Sequence, residues 1–364
     1  MFKSNIDSLL AAIVGMVLVI ILTRHSGLGI SPDSIYYMST ADSFLNGNGF
    51  YQFDDKPFVM FPVFYPVILS LVKIIVGVSF LTAAPFFNAL LFGITVYISG
   101  LVLATANLGN WFKWAVLAII VLSPGLLEVY TMLWSETLFI TEVLLFIYVA
   151  TKYFDKFKTS HLVFMSLVAA IAAETRLAGV SVIATGGLLI LLNPKLAWKK
   201  KLTHAFVFGI IAVSLFVMNL LRNAALTQTF TGNRQKGVTP FLENLKYFGS
   251  VLSDWLPFSK WTSGYMVILG FVFLCITGLV FLFRLFIKKN QTIVEQLVVG
   301  FALMYASFML AVATLSRFET LNNRLLSPFY IPFILTIAFY AASVLKLNFN
   351  KKLRIVLVAS FVLI

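Results

Sequence analysis

Charge is what this sequence has least of. Of its 364 residues 11% are charged, against about a quarter in soluble domains, while 60% are hydrophobic and the mean hydropathy is +0.96. That balance excludes a soluble enzyme. The net charge of +13 would suit a nucleic-acid partner, but there is no soluble basic domain to hold one, so no nucleic acid is expected. Cysteine is nearly absent: Cys275 stands alone in an apolar run, which leaves no disulfide framework and no thiolate metal site. The three histidines, His25, His161 and His204, are scattered. There is no Asp-x-Asp, no serine-triad signature and no phosphate-cradling glycine loop, so no metal ligand is assigned and a divalent ion is left open. No internal repeat and no matched pair of Gly/Pro-broken helices is evident, which weighs against an inverted-repeat transporter. Nor does a linker or low-complexity tract divide the chain, which therefore reads as one membrane domain over residues 1–364.

What is present is a series of apolar runs. They fall near Leu9–Leu22, Ala84–Ala106, Phe112–Leu126, Leu133–Ala150, Leu162–Ala173, Leu177–Leu192, Ala205–Leu221, Tyr265–Leu285, Ile293–Leu315 and Leu326–Leu345. An eleventh starts at Leu353. The class is an all-α polytopic membrane protein of about 10–11 helices. The first run is followed by Arg24 and His25 without a small-residue cleavage pattern, so it reads as a retained helix. The last reaches Ile364 after about a dozen residues, too few to span. Either the chain ends in a half-helix or a longer C-terminal region follows.

Charge orients these runs. The lysine-rich connectors Lys152–Lys158, Lys195–Lys201, Arg284–Lys289 and Lys346–Arg354 should all be cytoplasmic. They alternate correctly, with an inside N-terminus, only if the apolar stretch Phe61–Phe80, which carries Pro62, Pro66 and Lys73, does not span. That stretch is then a juxtamembrane or re-entrant element of a first outer loop, about residues 24–83; a second runs over about 222–262. On this topology lysine divides 14 inside to 5 outside, but arginine 2 inside to 6 outside: Arg24, Arg176, Arg222, Arg234, Arg317 and Arg324. The orientation rule disfavours outer arginine. The planar fork of arginine binds phosphate or carboxylate bidentately, so the asymmetry points to a site. Pairing with nearby acids or lipid headgroups is the plainer account of any one of the six.

Within the first outer loop, Ser31-Pro32-Asp33 opens a helix as cap, first residue and first-turn acid, and Asn46-Gly47-Asn48-Gly49 closes it. Asp33 is either a dipole-matched acid or a base beside a lipid-borne substrate. Tyr36 and Tyr37 follow on that helix. Lys56 comes next, then Phe61-Pro62-Val63-Phe64-Tyr65-Pro66, an aromatic element suited to an acyl chain or to the interface. Glu136 begins a later helix near Glu128, Trp134 and Ser135. Glu174-Thr175-Arg176 occupies a tight outer turn, where an ionisable side chain near membrane depth is a functional candidate. Arg222-Asn223 opens the second outer loop, which runs through Thr231-Gly232-Asn233-Arg234. Arg317, Glu319, Asn322, Asn323 and Arg324 form a polar cluster between two apolar helices.

The ordered set of these pieces resembles the GT-C type glycosyltransferases that use polyprenyl-phosphate sugars, the protein-mannosyltransferase and aminoarabinose-transferase relatives. The pieces are Asp33-Ser34-Ile35-Tyr36-Tyr37 with Asn46-Gly47-Asn48-Gly49-Phe50, Phe61-Pro62-x-x-Tyr65-Pro66, Trp134-Ser135-Glu136-Thr137-Leu138-Phe139, Glu174-Thr175-Arg176-Leu177-Ala178-Gly179, Leu221-Arg222-Asn223 with Phe230-Thr231-Gly232-Asn233-Arg234, and Asn323-Arg324-Leu325-Leu326-Ser327-Pro328. The resemblance spans nearly the whole chain. It implies a GT-C-like bundle whose first outer loop carries juxtamembrane helices. It also implies inverting transfer to a hydroxyl or amine of a lipid, glycan or protein acceptor. Asp33 is then the catalytic base and Glu136 the second carboxylate. The substrate-binding candidates are Tyr36, Tyr37, Lys56, Tyr65, Arg176, Arg222, Arg317 and Arg324, with Arg176 and Arg324 best placed to neutralise the leaving phosphate; no cofactor is needed. Two departures stand out: the second carboxylate is a glutamate, and no large soluble C-terminal domain is present. The expected setting is a bacterial inner membrane, among its lipids, with the site on the extracytoplasmic face. The other readings are a flippase or transporter for an anionic lipid-linked sugar, and a polysaccharide polymerase or ligase.

Overall fold

In this computed structural model, residues 5–105, 109–255, 266–288, 291–317 and 319–345 are described. The run from Leu353, the whole of the connector Lys346–Arg354, and the end of the second outer loop lie outside them. The described residues form fourteen α-helices and no strand longer than an isolated bridge. They are α1 Ile6–Thr23, α2 Pro32–Leu45, α3 Phe64–Val76, α4 Phe80–Ala104, α5 Asn110–Val121, α6 Pro124–Tyr130, α7 Ser135–Lys156, α8 Thr159–Thr175, α9 Val180–Leu192, α10 Trp198–Thr227, α11 Phe241–Asp254, α12 Met266–Leu282, α13 Ile293–Leu315 and α14 Asn323–Leu345.

Helices dominate because a chain this apolar must satisfy its backbone N–H and C=O groups internally. Seven helices are long and apolar enough to cross a membrane, or eight with the bent pair α5–α6. α8 and α9 are shorter, at 17 and 13 residues, and form an antiparallel hairpin. The run Phe112–Leu126 is not one helix. It breaks by 50° between α5 and α6, where Pro124 cannot continue the ladder and Ser123 instead caps a new helix at the Leu126 N–H.

The stretch Phe61–Phe80 contains one 13-residue helix, α3, about 20 Å long against a hydrocarbon core of about 30 Å. It packs on α2, α4 and α8. Together α2 and α3 make the first loop a two-helix platform. Serine builds its first element: the Ser31 side chain accepts from the Ser34 N–H and the Ser34 hydroxyl accepts from the Ser31 N–H, with Pro32 at the first position. In the second long loop, α10 continues to Thr227, so Arg222 lies in its final turns and not in the loop. The loop itself carries the amphipathic α11.

One end of the bundle collects the N-terminal ends of α2, α7 and α14 and the C-terminal ends of α8 and α13 around a cavity. Connectors 152–158 and 195–201 meet at the other end, where Phe154, Asp155, Lys195, Lys201 and Ile293 border a second cleft.

Candidate active site

Two loops far apart in sequence are pinned together first. Gly29 donates its N–H to the Thr131 carbonyl at 2.8 Å and accepts from the Leu133 N–H at 3.0 Å. The missing side chain at Gly29 makes room for Met132, since a Cβ there would lie 2.1 Å from Met132 Sδ unless that side chain moved. Ser34 then donates to the Leu133 carbonyl at 2.9 Å, and the Trp134 indole N–H donates to Ser31 Oγ at 2.9 Å. These bonds fix the start of α2 against the start of α7, and with it Asp33 beside Glu136.

Two guanidinium groups complete the arrangement. Glu136 is fully buried, and its two oxygens serve different arginines: Oε1 accepts from Arg324 Nε at 2.7 Å, and Oε2 lies 2.6 Å from Arg176 Nη1. Arg324 also donates through Nη2 to Asp33 Oδ2, while its guanidinium lies 4.4 Å from the centre of the Trp134 ring. Arg176 donates to Ser135 Oγ at 2.9 Å, and the Tyr37 hydroxyl is 3.1 Å from the same oxygen. Two acids and two arginines thus form a quartet of zero net charge. Arg176 is held in place by the α8–α9 turn, where Gly179 packs so closely on Ala172 that a Cβ would lie 2.4 Å from that residue's backbone.

The quartet forms the floor of a cavity of about 610 Å³. Asp33, Arg176 and Arg324 line it; Glu136 lies beneath them and does not. Phe308, Met309 and Val312 of α13 give one apolar wall, and Met60, Phe61 and Pro62 another. Arg234, Arg317 and Glu319 stand at the mouth. Their loops are zipped: Gly237 donates its N–H to the Leu315 carbonyl at 3.0 Å, and Arg317 donates its N–H to the Gln235 carbonyl at 2.8 Å.

The candidates read from the sequence therefore separate. Asp33, Tyr37, Arg176, Arg317 and Arg324 line the cavity, with Glu136 directly below. Tyr37 is buried, and burial pushes its phenol well above the usual value, so the hydroxyl stays protonated. Tyr65, Tyr36, Lys56 and Arg222 do not reach the cavity. Tyr65 is completely buried, its ring 5.0 Å from that of Tyr37, because it lies on the face of α3 that packs against α2. Tyr36 rests on Phe53, at 5.5 Å between rings. Lys56 is exposed at a tight turn and pairs with Asp54 at 2.7 Å. Arg222 clamps the first loop, donating at 3.0 Å to each of the Phe50 and Phe58 carbonyls with its guanidinium over the Phe50 ring.

Ser135, Thr175 and Arg234 also line the cavity, outside the binding set that the family resemblance implies; the surplus of outer arginine is the sequence signal for Arg234. Glu174, the acid nearest to Arg176 in sequence, does not pair with it; Arg176 turns to Glu136 instead. Glu174 sits under the first loop, 3.5 Å from the Val63 N–H. Among the described residues, no three His, Cys, Asp or Glu side chains converge in a way that would hold a metal ion.

No family model and no curated protein matches the sequence. Among solved structures, ArnT from Cupriavidus metallidurans bound to undecaprenyl phosphate is similar, with a TM-score of 0.59 at 12% sequence identity. The match covers 96% of this chain and 62% of that one, so the chain spans less than two thirds of the length of the structure it resembles. At this identity the likeness is one of architecture, and it gives the chain a GT-C-like fold: a polytopic helix bundle with juxtamembrane helices in its first loop.

Proposed function

We propose that the chain is an inverting glycosyltransferase that moves a sugar from a polyprenyl-phosphate donor to an acceptor hydroxyl or amine on the extracytoplasmic side of the membrane. The observation that carries this reading is the cavity floor, where a carboxylate at an open surface, Asp33, pairs with Arg324 and shares the lining with Arg176 beneath apolar walls. A lipid-linked sugar phosphate has the complementary parts: an apolar tail, an anion, and an electrophilic carbon next to it. Likeness to a structure holding undecaprenyl phosphate supports the donor class.

In this scheme Asp33 takes the proton of the acceptor O–H or N–H as that atom forms a bond to the anomeric carbon from the face opposite the phosphate. The bond from that carbon to the phosphate oxygen breaks, and its electron pair leaves with polyprenyl phosphate. A positioned base contributes about 10²–10⁴-fold. The leaving group needs no strong acid, only neutralisation, which arginine supplies without a metal. Glu136 has a supporting role: it lies outside the cavity and holds both arginine forks in place.

The test uses purified wild type and Asp33→Asn, a panel of polyprenyl-phosphate sugars, and a membrane extract as acceptor. Wild type should release polyprenyl phosphate, with release falling by about 10²–10⁴-fold in the folded variant. Equal release by both proteins would take the base away from Asp33. If no donor releases polyprenyl phosphate, transfer gives way to lipid transport.

A further inference from the structure

The three nitrogens of Arg324 have different surroundings. Nε, on the inner side, donates to the fully buried Glu136. Nη2 donates to Asp33, whose side chain is 24% exposed in the cavity. Nη1 makes no hydrogen bond among the described residues, on a side chain that lines the cavity. An oxyanion approaching a guanidinium bidentately uses two parallel N–H groups. With Nε turned to Glu136, the remaining fork is Nη1–Nη2, and the Asp33 carboxylate is in contact with Nη2. Nη2 keeps a second N–H, so a substrate anion on this fork meets Asp33 as a second negative charge crowded onto the same nitrogen and not as the loss of a donor.

We propose that Arg324 is a shared phosphate site for which Asp33 and the phosphate of the substrate compete, so that arrival of the anion releases the base. The inference rests on the reading of the cavity as a glycosyl-transfer site. A phosphate on Nη1 and Nη2 displaces Asp33 from Nη2. Glu136 retains Nε, and the Trp134 ring beneath the guanidinium keeps its plane fixed. The free carboxylate then has its Oδ2 lone pair available for the acceptor proton. Without donor, Asp33 Oδ2 is engaged by Arg324; with donor, the same event neutralises the leaving group and frees that oxygen to face the acceptor. Asp33 and the anion are therefore linked: whatever weakens the hold of Asp33 on Arg324 must strengthen anion binding by the same factor.

This linkage has a definite sign. Asp33→Asn removes a competitor for Arg324, and the Arg324→Lys background separates that gain from the general one an anion makes when a nearby negative charge is lost. Equilibrium binding would be measured on the full chain in detergent, with polyprenyl phosphate and with inorganic phosphate as separate probes. The proteins are wild type, Asp33→Asn, Arg324→Lys and the double variant, each checked for an unchanged melting profile. Asp33→Asn should bind polyprenyl phosphate about tenfold more tightly than wild type, the scale of one charge-assisted hydrogen bond. In the Arg324→Lys background, which has a charge but no fork, the gain should disappear. Equal or weaker binding by Asp33→Asn overturns the proposal. So does a gain that persists beside Arg324→Lys, because that would reflect only the removal of a negative charge, and so does a lack of binding by every protein to both probes. Should Arg324→Lys fail to fold, Arg324→Gln takes its place in the cycle with the same expectation, and an equal or weaker affinity of Asp33→Asn overturns the proposal without it. A shared gain for both probes marks a phosphate site, while a gain confined to polyprenyl phosphate marks one that also requires the lipid. Tighter binding by Asp33→Asn without any sugar transfer by wild type would sink the glycosyltransferase reading and leave the shared site standing.

Discussion

The floor and the rim of the cavity are both built on arginine, yet they use it in opposite ways. On the floor, Arg176 and Arg324 are largely buried and held by carboxylates, with Glu136 common to both. At the rim and around the first loop, the partners of Arg222, Arg234 and Arg317 are neutral. Arg222 donates to backbone carbonyls, Arg234 to Thr231 and to the Met60 carbonyl, and Arg317 to the Gln235 side chain. Burial explains the difference. A guanidinium removed from water needs a counter-charge in contact, whereas one at the mouth keeps solvent and serves as a multi-dentate clamp for loop backbone. One residue type thus sets charge on the floor and loop geometry at the rim.

The sharpest way to break the comparison is to remove the common partner. Glu136→Ala leaves Arg176 without its carboxylate and Arg324 with Asp33 alone, and should lower stability by about 3–5 kcal/mol, the cost of breaking a buried pair from one side. The check is loss of the folded fraction in a detergent melt. Glu136→Gln keeps the shape and hydrogen-bonding capacity and should lose less. If both variants melt like wild type, Glu136 does not anchor the floor. The rim responds differently. Arg222→Gln should leave the melt close to wild type and loosen residues 50–60, raising KM for the donor several-fold while kcat changes little. Proteolysis within that loop should accelerate in parallel. Equal falls in kcat and in kcat/KM would place Arg222 in the transition state and erase the distinction between rim and floor.

Much of this architecture could be read from residue order, and the part that could not has a definable cause. The start of α2 was legible because Ser31, Pro32 and Asp33 act locally, each on a backbone group within one turn. The non-spanning character of Phe61–Phe80 followed from the charge of the connectors, a sum over the whole chain that tolerates local error. The break at Ser123-Pro124 had its signal in those two residues but lay hidden inside a continuous apolar run. Partner choice was not legible. Arg324 and Asp33 are 291 positions apart, and Arg176 has the adjacent Glu174 as an equally plausible partner until α7 and α8 are packed together. The inward turn of Tyr65 and the outward turn of Lys56 depend likewise on how α3 and the hairpin before it settle on α2, which composition does not encode.

Lys56 gives the smallest expected effect and the cleanest limit on the comparison. It sits beyond the rim, in a turn closed by bonds from the Gln52 N–H to the Lys56 carbonyl and from the Phe58 N–H to the Phe50 carbonyl, with Asp55 at a φ of 58°. Its ammonium group contacts Asp54 in full solvent, where such pairs contribute little and are screened by salt. The Lys56–Asp54 hydrogen bond holds the Asp54 carboxyl below its usual range. Stability linked to that bond is therefore present above the ordinary aspartate range and lost as pH falls through the lowered value, an acid-side effect with no bearing on catalysis near neutrality. Lys56→Gln should then leave turnover within about twofold of wild type at moderate salt, as is usual for surface changes away from a site. A larger loss, with donor KM rising more steeply at low ionic strength, would mean that the first loop closes over the cavity and brings Lys56 to the substrate, extending the charged floor upward past the rim.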